Sequence, residues 1–231
     1  METATVAAPT TRTDSKTIAD LLPRAVDKYG PRKAVMFKDD GGHWVSRTYT
    51  EVGETVRKLS LGLIDLGVEK GDKVAILANT RPEWTYFDFA ALSAGAIVVP
   101  IYQTNSPEEC QYVLENSDAG VVVVEDDEQL EKVRKVRSRC PKLEHVILMT
   151  GEGEGALSLD EVAERGASRS EEEWSERWGS IGKDDVCTII YTSGTTGPPK
   201  GCVISHGNYR AMLDMVLEAN VLGGEGEITY L

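Results

Sequence analysis

No stretch of this sequence stays apolar for the ~20 residues that a bilayer-crossing helix requires. The opening segment METATVAAPTTRTDSK lacks the apolar block of a secretory signal. It reads as a disordered tail over residues 1–16, and the chain as a cytoplasmic protein. Cysteine is scarce: Cys110, Cys140, Cys187 and Cys202 form no C-x-x-C pair and have no metal-ligand spacing to His43, His145 or His206. The expectation is four buried, reduced thiols and no metal site. Basic residues are in deficit, 25 Lys and Arg against 38 Asp and Glu, for a net charge of -13. A nucleic-acid surface needs a basic footprint, so that partner class is excluded. What is present is ordinary globular composition, 41% hydrophobic and 27% charged over 231 residues. A chain of that length can bury about 70% of its unfolded surface, as one large domain or two small ones.

The segment from Tyr191 to Gly201, YTSGTTGPPKG, follows an apolar strand-like run at residues 186–190. Hydroxyls at Thr192, Ser193, Thr195 and Thr196, glycines at Gly194 and Gly197, and Lys200 suit a loop that holds phosphate. Glycine reaches positive φ without a Cβ penalty, so successive backbone N–H groups can turn inward around an anion. The hydroxyls add donors without bulk, and a lysine is a mobile point charge for a terminal phosphate. Pro198 and Pro199 stiffen the exit. An ordinary Gly/Ser/Thr/Pro surface linker is the plain alternative. The P-loop of nucleoside triphosphatases is excluded: counting from Gly194, the second required glycine falls on Pro199, and Gly201 stands where Ser or Thr should follow Lys200.

Along the chain, Ile18, Leu21, Leu22 and Ala25 predict a helix from Thr17 to Gly30-Pro31. Residues 34–37 and 44–49 read as a hairpin around Asp39-Asp40-Gly41-Gly42. A helix capped by Thr50 then carries Val52, Val56, Leu59, Leu63 and Leu66 to Gly67, an apolar stripe for a sheet. From Gly71 strand and helix alternate: strands at 74–78, 97–101, 120–124 and 145–149, helices at 82–94, from Ser106 to 116, and after Asp126. This pattern implies a mostly parallel sheet with helices on its faces. The basic run KVRKVRSRC (132–140) reads as a solvated helix end favoured by the dipole, or as a contact for phosphate or anionic lipid. Residues 151–183 predict one or two short amphipathic helices over the sheet, with Trp174 and Trp178 covering core. Past the loop come a short strand at 202–204 and a helix from Tyr209 to 222, with His206 a cap or structural residue rather than a base.

The loop resembles, over its whole length, the signature of the AMP-forming adenylating enzymes: acyl-CoA synthetases, firefly-type luciferases and peptide-synthetase adenylation domains. Thr48-Tyr49-Thr50-Glu51-Val52 and Ser205-His206-Gly207-Asn208 resemble further family segments. Asn79, Arg81-Pro82-Glu83-Trp84, Val99-Pro100-Ile101-Tyr102, Ser106-Pro107-Glu108 and Tyr112 are arranged as in the long-chain fatty acyl-CoA synthetases. The resemblance implies an α/β fold of layered, mostly parallel sheets flanked by helices, with residues 17–231 forming the N-terminal part of the large domain. It implies ATP, Mg2+ and CoA as cosubstrates, a fatty acid as partner, no transmembrane segment, and room for a peripheral membrane contact. It assigns phosphate binding to Thr192, Ser193, Gly194, Thr195, Thr196, Gly197 and Lys200. No catalytic residue is assigned, because the adenine, ribose, metal and lysine motifs of the family lie beyond the matched part. The isolated chain is accordingly expected to be incompetent for the full reaction. Another carboxylate–CoA ligase, or a non-catalytic nucleotide-binding remnant, is the alternative reading.

Overall fold

The computed structural model describes residues 14–39, 41–192 and 197–218. Asp20 organises the turn that leads into helix α1 (Leu21–Tyr29). Its carboxylate accepts from the amides of Thr17 at 3.0 Å and Lys16 at 3.2 Å and from Ser15 Oγ at 2.9 Å, and pairs with Arg24 Nε at 2.7 Å. Those bonds fold residues 15–20 into a turn, so the helix begins at Leu21 rather than Thr17. Ser15 and Lys16, placed by the sequence in the tail, belong to this turn; residues 1–13 lie outside the described residues.

Strands β1 (Lys33–Lys38) and β2 (Trp44–Thr48) form the expected antiparallel hairpin. Helix α2 (Tyr49–Asp65) follows at once, and its cap is Thr48, not Thr50. Thr48 accepts from the Glu51 amide while Glu51 reaches back to the Thr48 amide, at 3.2 and 2.7 Å. The reciprocal box requires Glu three residues after the cap, and only Thr48 has that spacing.

Beyond α2 the chain alternates as its apolar runs predict: β3 (Lys73–Leu77), α3 (Pro82–Ser93), β4 (Ile97–Ile101), α4 (Pro107–Ser117), β5 (Val121–Val124), α5 (Asp127–Val136) and β6 (His145–Leu148). A short strand, β7 (Leu157–Ser158), then precedes α6 (Leu159–Ala167) and α7 (Glu171–Gly179). The chain returns to the sheet with β8 (Val186–Thr192) and β9 (Lys200–Ser205) and ends its described part in α8 (His206–Glu218). The main sheet has seven strands in the order β7-β6-β5-β3-β4-β8-β9 among the described residues, parallel throughout except for β8 with β9.

This order follows from crossover handedness. The connection from β3 to β4 runs one way across the sheet and that from β4 to β5 runs back, so right-handed crossovers put α3 and α4 on opposite faces. Residue alternation matches this. Val74, Ile76, Val98, Val121, Val123 and Ile147 pack with Val56 and Leu59 of α2, Phe87 and Ala90 of α3 and Val162 of α6. Ala75, Leu77, Val99, Val122, Val124 and Leu148 point the other way, against Val113 and Leu114 of α4 and Leu130 and Val133 of α5. Both faces are covered, which is why these strands read as unbroken apolar runs.

Helix α7 departs from the expectation of a helix over the sheet. It lies outside α2 and α3, where Trp174 packs with Leu61, Ile64 and Ala94 and donates from Nε1 to Ser93 Oγ at 3.1 Å. Strand β7 is too short to be legible as a period. Three cysteines are buried as expected, and Cys202 is exposed on β9. The basic run ends α5 with Arg134, Lys135 and Arg139 exposed, the solvated helix end of the first reading, and two of its arginines also hold backbone carbonyls. Arg134 donates to the Glu154 carbonyl and Arg137 to the Gly155 carbonyl at 3.1 Å, pinning the loop before β7, and Arg137 also donates to the Glu144 carbonyl just before β6 at 2.9 Å. No helix among the described residues is long and apolar enough to cross a membrane.

Candidate functional site

The predicted loop joins the carboxyl end of β8 to β9. Strand β8 is held to the sheet centre by its parallel pairing to β4, where Thr188 Oγ1 donates to the Val98 carbonyl at 2.8 Å. Strand β9 folds back antiparallel, and its register pairs Thr192 with Lys200 and Tyr191 with Gly201. Two of the predicted residues, Thr192 and Lys200, are therefore neighbours across a ladder, both exposed. Gly197 sits at φ +96°, a conformation that requires glycine. Ser193, Gly194, Thr195 and Thr196 lie outside the described residues.

Gly201 has a local reason of its own. A Cβ there would stand 2.8 Å from Ile189 Cγ2 and 3.3 Å from Cζ of Tyr191. Its absence lets the Tyr191 ring lie across the ladder. That ring meets Tyr112 of α4 edge to face, with centroids 6.2 Å apart and planes at 88°. Tyr191 donates its hydroxyl to Asn116 Oδ1 at 2.8 Å, and Tyr112 donates to the Pro199 carbonyl at 2.8 Å. From sequence Tyr112 reads only as packing, since nothing local to α4 signals a partner 87 residues away.

The rest of the carboxyl edge is polar. Asn79, after β3, donates from its amide and from Nδ2 to Glu125 Oε2 at 2.7 and 2.8 Å, and Arg81 Nη1 lies 3.4 Å from Glu125 Oε1. Asn79 follows a strand whose crossover leaves on one face and Glu125 a strand whose crossover leaves on the other, the crevice where ligands of open α/β sheets collect. A groove lies at the opposite end of the sheet. It encloses about 360 Å³ beside Lys73, Val121 and His145, where β3, β5 and β6 begin, and it shares no residue with the loop. Among the described residues, no group of three or more His, Cys, Asp or Glu side chains is placed to hold a metal. Burial pushes the thiol of Cys110 up to about 11 and that of Cys187 up to about 12, so neither is a nucleophile at neutral pH.

His206 is structural. It is 1% exposed and burial pushes its pKa down to about 4. Its motif is a helix start: Ser205 Oγ accepts from the Asn208 amide at 3.2 Å while Asn208 Oδ1 accepts from the Ser205 amide at 3.0 Å.

Residues 22–228 match the family described as AMP-binding enzyme. The chain belongs to that family. Among its relatives, the long-chain-fatty-acid–CoA ligase FadD15 of Mycobacterium bovis is 42% identical over 167 residues, covering 72% of this chain and 28% of the relative. The long-chain-fatty-acid–CoA ligase ACSBG1 of Bos taurus is 34% identical over 197 residues, covering 84% of this chain and 27% of the relative. The chain thus spans little more than a quarter of the length of these curated relatives. Among solved structures, a long-chain-fatty-acid–CoA ligase (FadD1) from Archaeoglobus fulgidus superposes with a TM-score of 0.73 at 26% identity, over 93% of this chain and 42% of the other. The anthranilate CoA ligase AuaEII, solved with anthranoyl-AMP, gives 0.72 at 27% identity over 86% and 36%. The chain therefore has both the family and the fold that its loop indicated.

Proposed function

We propose that this chain supplies the pyrophosphate end of a long-chain fatty acyl-CoA ligase. In the first half-reaction a fatty carboxylate oxygen attacks the α-phosphorus of ATP. The bond to the β-phosphate oxygen breaks, giving acyl-adenylate and pyrophosphate. In the second, the CoA thiol attacks the acyl carbonyl and AMP leaves. Charge develops on the departing pyrophosphate, and preorganised donors aimed at it lower the barrier. Thr192, Ser193, Gly194, Thr195, Thr196 and Gly197 are the proposed donors, with Lys200 the cation. Mg2+ would enter with ATP, since the described residues offer no carboxylate set for it. The substrate partners are then a fatty acid, ATP and CoA, met in the cytoplasm.

The observation that carries this reading is the pairing of Thr192 with Lys200 across the ladder at the carboxyl end of β8. It brings a hydroxyl and a cation to one loop mouth, at the sheet edge where such ligands bind. The test is ATP–pyrophosphate exchange by the ligase that carries this sequence. Lys200→Ala should lower exchange about ten- to a hundredfold, the loss of one charge-assisted hydrogen bond. Unchanged exchange would remove Lys200 from the site.

A further inference from the structure

Strand β9 is an end strand of the described sheet, so its backbone is held by β8 on one side only. At its first residue a second restraint comes from outside the sheet. Pro199 precedes Lys200, and the Pro199 carbonyl accepts the Tyr112 hydroxyl at 2.8 Å. The facing strand is held by the same helix, through Asn116 and the hydroxyl of Tyr191 at 2.8 Å. The two tyrosine rings contact each other edge to face and pack against the core beneath α4 and α5. Helix α4 therefore grips both stems of the loop. Its own start is fixed by a capping box between Ser106 and Glu109.

We propose that Tyr112 is a positioning residue for Lys200, with Asn116 completing the grip through Tyr191. The inference rests on the phosphate-site reading of the loop. The Lys200 side chain is exposed and long, so the direction of its ammonium depends on how firmly its backbone is held. The ladder partner Thr192 fixes the lateral position of that backbone. The hydroxyl of Tyr112 fixes the plane of the Pro199–Lys200 peptide, which the ladder leaves free on its open side. A tyrosine that only packed would do the same work as phenylalanine, and here the hydroxyl is the part that reaches the loop.

The test is a double-mutant cycle read by MgATP titration of the 231-residue chain. Tyr112→Phe keeps the ring and should weaken binding about fivefold, the loss of one hydrogen bond. Lys200→Ala should weaken it about ten- to a hundredfold. The double variant should bind no worse than Lys200→Ala, because Tyr112 acts through Lys200. Asn116→Ala, at an exposed position that folding tolerates, should act in the same direction as Tyr112→Phe. Tyr112→Phe binding like the wild type while Lys200→Ala is weakened overturns the proposal and leaves the phosphate site standing. Strict additivity in the double variant also overturns it. Absence of MgATP binding by the wild type overturns the phosphate-site reading instead. Amide exchange over residues 200–203 then decides the grip: faster exchange in Tyr112→Phe sustains it, and unchanged exchange refutes it.

Discussion

Ile18 donates its backbone amide to Nδ1 of His206 at 3.2 Å, across 188 residues of sequence. An accepting Nδ1 means that the ring is neutral, with its proton on Nε2. The bond ties the turn before α1 to the start of α8, and the same region carries the ion pair of Lys70 with Asp185 at 2.6 Å. Protonating Nδ1 would put two donors face to face.

The first prediction concerns pH. Burial lowers the His206 pKa to about 4 from 6.5, outweighing the upward pull of Asp185 and Asp20. The unfolded chain therefore takes up this proton first as pH falls. The stability tied to the neutral ring is complete above pH 6.5 and is lost toward pH 4, on the order of 3 kcal/mol in total. His206→Asn keeps an acceptor and removes the titration. Its stability relative to wild type should be greater at pH 5 than at pH 7.5. An equal difference at both values would discard the linkage.

A second titrating group runs the other way. Asp88 of α3 is half-buried, and burial pushes its carboxyl up to about 7. Its charge adds to the burial that raises Cys187, and also raises Tyr209, so the three lie near one another between α3, β8 and α8. With a folded pKa above the unfolded one, its contribution is complete below about pH 4 and lost as pH rises through 7. Asp88→Asn should therefore stabilise the protein at pH 8 by up to about 4 kcal/mol relative to its effect at pH 4. Denaturant unfolding at the two pH values measures this. No change in the difference would mean that the carboxyl is better solvated than its position indicates.

The strands were legible because burial on both faces leaves a signature that needs no tertiary knowledge. The VVVV of β5 and the KVAIL of β3 can hardly be anything else between turn signals. Capping boxes are equally local: the Glu51 spacing singles out Thr48 over Thr50. Strand β7 was not legible, since two residues carry no period. Within the proposed site, the motif announced Thr192, Gly197 and Lys200 by residue type. It was silent on Tyr112 and Asn116, whose roles depend on α4 lying beneath the β8–β9 hairpin. Arg134 and Arg137 illustrate the same limit: charge spacing showed a basic helix end, and only the fold shows which carbonyls it holds.

The third prediction concerns the crossing of α2 and α6. A Cβ on Gly62 would lie 2.0 Å from the Val162 carbonyl oxygen, and one on Gly166 would lie 1.8 Å from that of Lys58. Both obstacles are backbone, so neither can rotate away. Gly62→Ala and Gly166→Ala should each cost at least about 3 kcal/mol, the upper range for overpacking. Gly179→Ala is the control, since nothing lies within 4 Å of its Cβ position at the end of α7. That change should be neutral or stabilise by about 0.5–1 kcal/mol through the unfolded chain. Equal midpoints for Gly62→Ala and Gly179→Ala in denaturant would refute the close crossing.

The last prediction is that the 231-residue chain, made alone, yields no acyl-CoA from fatty acid, ATP and CoA. Rate acceleration requires nucleophile, α-phosphate and leaving group to be held together. In the proposed assignment, Thr192, Gly197 and Lys200 address only the leaving group, which leaves the carboxylate and the α-phosphorus without assigned groups. Removing one positioned donor typically costs about a hundred- to a thousandfold, and here the contributions from nearly three quarters of the relatives' length are outside the chain. The same chain exposes Val203 on end strand β9 at 60%, and Met212 and Met215 on α8 at 43% and 62%. An open strand edge beside apolar side chains favours pairing between copies, so sedimentation should show concentration-dependent association. Thioester formation is measured on purified chain of confirmed mass. Turnover above a protein-free blank would show that the chain holds the carboxylate and α-phosphate by groups other than those assigned to the loop.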